Sequence, residues 1–218
     1  MRRWGVVVTA LYSLILIALM GPGLALVAGR PLGDTPDLYT SWLLWLWVVL
    51  LVASEAVLVF LSVDTSYRRL QARQQILLTV LTGALLLALL SAAAAWSVDA
   101  ALFGEDSRLV PSSDWGVLAT WAGLWVLWGW VFWRYLRGSS QALDRVLSWL
   151  LKGSVLELLV AVPCHVVVRQ RGDCSAPIVS GFGIVTGIAI MLLAFGPGVL
   201  LLYRRRLDAY SRRRLSGQ

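Results

Sequence analysis

Charge is what this sequence has least of. Of its 218 residues only 14% are Asp, Glu, Lys or Arg, against roughly a quarter in an average soluble domain. Lysine is nearly absent: Lys152 stands alone beside 18 arginines. That bias is the mark of a GC-rich bacterial genome, and it points to a bacterial inner membrane as the site of residence. There is one histidine, His165, and there are two cysteines, Cys164 and Cys174. Two cysteines are too few for a disulfide framework, and they do not form the CxxC of a dithiol centre. Zinc-finger spacing, a basic helix and interleaved aromatic and basic residues are all missing, so the net charge of +7 does not signal nucleic acid. No nucleotide-binding motif, no Ser–His–Asp arrangement and no demand for a cofactor or bound metal can be found.

What is present is apolar. With 59% apolar residues and a mean hydropathy of +0.76, the chain cannot cover itself with polar surface in water. Six runs approach the ~20 residues needed to cross hydrocarbon: Trp4–Ala28, Ser41–Val63, Gln75–Val98, Trp115–Trp133, Val146–Val168 and Ile178–Tyr203. Each is expected to be helical, because backbone groups left unpaired in lipid are too costly. The fold class that follows is all-α: a polytopic transmembrane bundle over residues 1–203, with a basic cytoplasmic tail over 204–218. The lipid bilayer is then the first partner.

Arginine gives the expected orientation. If both termini are cytoplasmic, 14 arginines fall on the inner side, and Arg30, Arg108, Arg169 and Arg171 on the outer. This is the positive-inside pattern. Trp and Tyr near the ends of the runs suit the headgroup level. A rival reading takes Arg2, Arg3 and the run up to Gly23-Leu24-Ala25 as a cleaved signal peptide, leaving five helices.

Three ionisable residues fall inside the runs: Glu55, Lys152 and Glu157. Such groups are expensive in a membrane and merit a functional hypothesis. A rise of about 1.5 Å per residue puts them about 12, 9 and 16 Å from the inner end. Lys152 and Glu157 are about 140° apart around one helix, so the expected partner of Lys152 is Glu55 on another helix. One carboxyl is then left to be protonated, hydrated or bound to a cation. A proton or cation pathway competes here with a plain interhelical salt bridge.

Cys164, His165, Arg169, Asp173 and Cys174 cluster where the fifth run leaves the membrane. A Cys164–Cys174 disulfide fits an oxidising exterior. A redox dithiol, or a metal site using Cys164, His165 and Cys174, is a weaker reading, because adjacent side chains diverge on a helix. Pro163 is expected to kink the helix. Gly183 and Gly187 form a GxxxG, which lets helices approach closely, within the chain or in a homo-oligomer. Trp121, Trp125 and Trp128 form a mid-depth stripe that packs inward or meets lipid, a partner or a pigment-like cofactor. Gly21-Pro22-Gly23 and Gly196-Pro197-Gly198 are candidate helix breaks. The arginines of the tail suit anionic headgroups.

Three function classes remain from the sequence: an accessory or scaffold subunit of a membrane assembly, a small transporter or proton- or cation-conducting protein built on Glu55, Lys152 and Glu157, and a membrane thiol or metal enzyme using Cys164, His165 and Cys174. The first is favoured by the absence of a dense polar constellation.

Overall fold

A computed structural model describes the backbone of residues 2–29, 31, 35–64, 72–104, 109, 111, 113–136, 142–171 and 176–216, and the side chains of most of these. The exceptions inside helices are the side chains of 2–3, 35, 62–64, 72–75 and 199–216. Cys174, Asp173, Arg30, Arg68, Arg69, Arg108 and Arg137 lie outside the described residues.

The described chain is helical throughout, with no strand among its described residues. Helix α1 runs over Arg2–Ala18, passes through a π-helical turn at Leu19–Gly23, and resumes over Leu24–Ala28. A short α2, Thr35–Leu38, precedes α3, Trp42–Asp64. Then follow α4, Ala72–Phe103; α5, Asp114–Leu136; α6, Ala142–Arg171; and α7, Ala176–Ser216. Six of these helices are long and apolar enough to span a membrane. Their segments overlap the six runs read from the sequence. The last helix continues to Ser216, so the basic tail prolongs α7 instead of hanging from it.

The two Gly-Pro-Gly motifs behave differently. In α1, Pro22 lacks the N–H that its helix position needs, and the helix answers with the π turn, in which the N–H of Leu24 reaches back to Leu19 O. By the same i−5 count, the donor missing at Pro22 would have served Ile17 O. The hydroxyl of Tyr39 donates there instead, at 2.8 Å. Tyr39 fits because Gly21 has no Cβ: one added there would overlap the tyrosine ring and hydroxyl. In α7, by contrast, the helix runs on through Pro197, as α6 does through Pro163.

The helices alternate in direction. Gly5 of α1 lies against Val59 and Phe60 of α3, Gly83 of α4 against Phe132 of α5 and Val146 of α6, and Gly196 of α7 against Val8. These contacts mark one end of the bundle, where α1 begins and α3 ends. At the far end Gly181 meets Leu24 and Val27, and Trp96 of α4 stacks near Trp121 of α5.

Helix α4 packs against α5, α6 and α7, and α7 packs against α1, α3, α4 and α6. Burial follows: 67% of the apolar window of α4 is buried and 56% of that of α7, against 11% for α5. The main core cluster includes Leu16, Trp47, Leu51, Leu89, Leu150 and Ile190, and a smaller one holds Ala100, Ala101, Val168 and Ala176. Helix α5 leans on α4 and leaves Trp125, Val126, Leu127 and Trp130 exposed. That face suits lipid. It also leaves a cleft between α5 and α6.

Candidate functional site

Glu157 is the centre of the arrangement. It is 3% exposed, and both of its carboxylate oxygens are buried without a hydrogen-bond partner among the described residues. An ionised carboxylate in that state costs several kcal/mol, so the group calls for a proton or a cation. What makes room for it is glycine on α7. A Cβ at Gly187 would overlap Glu157 Oε2, and one at Gly183 would lie 3.3 Å from Oε1 and collide with Ser97 Oγ. The GxxxG motif does let α6 and α7 approach closely, as expected. Its second role, cradling a carboxyl, is not visible in the motif.

On its other side Glu157 borders a cleft of about 620 Å³ between α4, α5 and α6. Leu87, Leu90, Ser91 and Ala94 come from α4, Trp128 and Tyr135 from α5, and Trp149, Lys152, Gly153, Leu156 and Val160 from α6 along with Glu157. The α6 residues span an arc of about 140°, with Lys152 at one edge and Glu157 at the other. The angle that argued against a shared site is thus the width of the cleft itself. Lys152 is exposed. Trp149 packs against Phe132 and Tyr135, closing the cleft towards the end where α1 begins. Arg145 lies over the ring of Tyr135, 5.8 Å from its centroid. The indole N–H of Trp128 donates to Ser91 Oγ at 2.9 Å, which fixes the tryptophan on the cleft wall.

Glu55 is placed elsewhere, and the expected Lys152–Glu55 pair does not form. Glu55 is 1% exposed. A Cβ at Gly196 would lie 2.7 Å from its Oε1 and 3.3 Å from Val8. Gly187 and Gly196 are nine residues apart on α7, which amounts to about 13 Å of rise and about two and a half turns. The two acids therefore sit on opposite sides of α7 and at different depths, where the sequence put them level. Nearby, Tyr12 donates to Ala189 O at 3.0 Å. Glu55 is not among the residues that line the cleft at Glu157.

His165 ties three helices together at the far end. Its Nε2 is 2.8 Å from Val27 O, and its Nδ1 is 2.8 Å from Ser180 Oγ. A carbonyl only accepts, so Nε2 carries the proton, and a neutral ring takes the serine hydroxyl's hydrogen on Nδ1. Both nitrogens are occupied, which leaves none for a metal. Among the described residues no group of three His, Cys, Asp or Glu could hold one either. Cys164 carries a free, half-buried thiol beside the small cluster of Ala100, Ala101, Val168 and Ala176. Cys174 and Asp173 lie outside the described residues. Arg169 rests its guanidinium against Gly29, the left-handed C-cap of α1 at φ 71°, where a cation meets the negative end of a helix dipole.

The Trp stripe packs onto α4. Trp121 is buried near Trp96, Trp125 donates to Leu81 O at 3.0 Å, and Trp128 bonds Ser91. Reasoning from sequence overlooked Ser91, Ser97 and Ser180. Buried serines in apolar helices were the available signal. Ser97 is fully buried, donates to Ala93 O at 2.8 Å, and shares the Gly183 notch with Glu157.

No family model matches this chain, nor does any curated protein or solved structure.

Proposed function

We propose that this is a small proton-translocating membrane protein, with Glu157 as the group that takes up and releases the proton. The single observation behind this is a fully enclosed carboxyl without protein partners, at the wall of a 620 Å³ cleft. A structural carboxyl would be bonded. Further buried polar groups lie beyond the cleft: Ser97, beside Gly183 with Glu157, and Ser180, on the turn of α7 before Gly183 and bonded to His165. Glu55 lies apart from them. In this reading the six helices cross the inner membrane of a bacterium with both termini cytoplasmic, as the arginines indicate, and the cleft opens in the inner half.

The test is proton movement in vesicles holding the purified protein, driven by a potassium diffusion potential. Wild type is expected to exceed protein-free vesicles. Glu157→Gln should fall to the protein-free level and Glu55→Gln should not. Equal flux in wild type and Glu157→Gln, or none above background, refutes the reading.

One observation favours a second reading, an accessory subunit of a membrane assembly: the broad apolar face that α5 leaves uncovered. Stoichiometric co-purification of another membrane protein in mild detergent, lost when Val126 and Trp130 are changed to Ala, would support it. A monodisperse lone protein would count against it. Among the described residues, which do not include Cys174 or Asp173, no geometry favours a thiol or metal enzyme.

A further inference from the structure

We infer that the cleft at Glu157 takes a lipophilic organic cation of single charge, which enters from the bilayer and displaces the proton. This rests on Glu157 being the proton-exchanging group, and it adds what the proton is exchanged for.

The volume comes first. About 620 Å³ is the size of a pocket for a drug-sized organic molecule, far more than a proton or a metal ion needs. Access comes second. Leu156 lines the cleft and is 65% exposed, and Leu159 on α6 and Leu127 on α5, next to cleft-lining positions around their helices, are exposed as well. The flanks of the opening are therefore apolar, and a ligand arrives through hydrocarbon. A sugar, a nucleotide or a hydrated ion would have to shed its water to do so.

Chemistry comes third. The walls carry three aromatic side chains, Trp128, Tyr135 and Trp149, over apolar leucine, valine and alanine. Aromatic faces attract cations once water is removed. Among the described residues that line the cleft, the buried group without a hydrogen-bond partner is an acid. A cation beside Glu157 supplies the missing counter-charge, and an anion there would face a second unmatched charge. The other charged or titratable groups at the cleft are Lys152 and Tyr135, with Arg145 over the tyrosine ring. Helices α4 and α7 present serine and glycine to Glu157. His165 lies two turns further along α6. The positive charge of Lys152, at the opposite edge, penalises a second positive charge on the ligand.

The balance is simple. Glu157 holds either a proton or the cation, so each cation bound releases up to one proton to solution. No covalent bond is made or broken.

The test uses the full-length protein in mild detergent and tetraphenylphosphonium as the probe. Calorimetry in two buffers of different ionisation enthalpy reads both affinity and proton release. Saturable binding at one site is expected, with proton release on binding. Glu157→Gln should weaken it at least tenfold and abolish the release, Glu157→Asp should keep the release, and Glu55→Gln should bind like wild type. Decamethonium, a dication, should bind at least tenfold more weakly than tetraphenylphosphonium, and Lys152→Gln should narrow that gap. The inference is overturned if tetraphenylphosphonium does not bind, if Glu157→Gln binds it equally, or if decyl phosphate binds instead and Lys152→Gln removes it. Should cation binding fail while proton flux still depends on Glu157, the ligand class is wrong and the proton reading stands. Should cation binding depend on Glu157 with no proton flux, the reverse holds.

Discussion

Glu157 and Glu55 are the same residue in nearly the same burial, each with a buried carboxylate oxygen that has no hydrogen-bond partner among the described residues, and they differ in what lies on their other sides. Both press against a glycine of α7, Gly187 and Gly196 respectively. Glu157 has a cleft on one side and Ser97 on the other. Glu55 has Val8, Gly196 and the neighbourhood of Tyr12, and does not line that cleft. Burial alone does not make a carboxyl functional. In the proposed reading a route for a proton or ligand does, and of the two acids it is Glu157 that lines the described cleft.

The largest expected effect comes from filling the notches. Gly187→Val puts a side chain into the space of the Glu157 carboxyl. It should lower the unfolding free energy by about 3 kcal/mol, at the upper end for overpacking. Adding Glu157→Ala should restore part of this, a coupling of about 1–3 kcal/mol, the remainder being the contact with Leu158, whereas Glu55→Ala should restore none. Gly196→Val should show the converse pattern. Unfolding in mixed detergent micelles measures all of these. If either acid rescued either glycine, the two sites would not be separate.

Next in size is His165→Ala, which removes both bonds joining α6 to α1 and α7. About 2 kcal/mol is expected for stranding the buried partners, together with faster amide exchange at the far end of α1. The neighbouring Cys164→Ser should cost less than half as much, because its half-buried thiol anchors nothing. An equal cost would remove the latch.

The smallest effect is at Tyr39→Phe, which strands Ile17 O at the π turn. Interhelical hydrogen bonds in membrane proteins average about 0.6 kcal/mol, and a loss of that size is expected. This bond lies far from both acids, so Tyr39→Phe should leave proton flux unchanged. A flux defect would extend the site to α1.

Much of the architecture was legible because hydrocarbon imposes a length and a composition on each helix. Runs such as Trp4–Ala28 and Val146–Val168 declare themselves without tertiary knowledge. The candidate residues Glu55, Lys152 and Glu157 were equally visible, since charge in an apolar run is conspicuous. Their grouping was not. Depth counted along separate helices cannot show that α3 and α6 lie on different sides of α7, so Lys152 was given the wrong partner. The 140° between Lys152 and Glu157 excluded a shared site only under the assumption that a site is narrow. The glycines of α7 announced close approach but not what approaches. The two Gly-Pro-Gly motifs read identically, yet Pro22 produces a π turn while the helix passes through Pro197. Tyr39 makes that difference at Pro22, by supplying the hydrogen bond that the turn requires.

The most direct test of the contrast is labelling with a lipophilic carbodiimide, which reaches carboxyls from the hydrocarbon phase, followed by peptide mass spectrometry. Glu157 should be modified in folded wild-type protein, and tetraphenylphosphonium should protect it, while Glu55 should react only after unfolding. Modification of Glu55 at a rate equal to or above that of Glu157 in the folded protein would contradict the account.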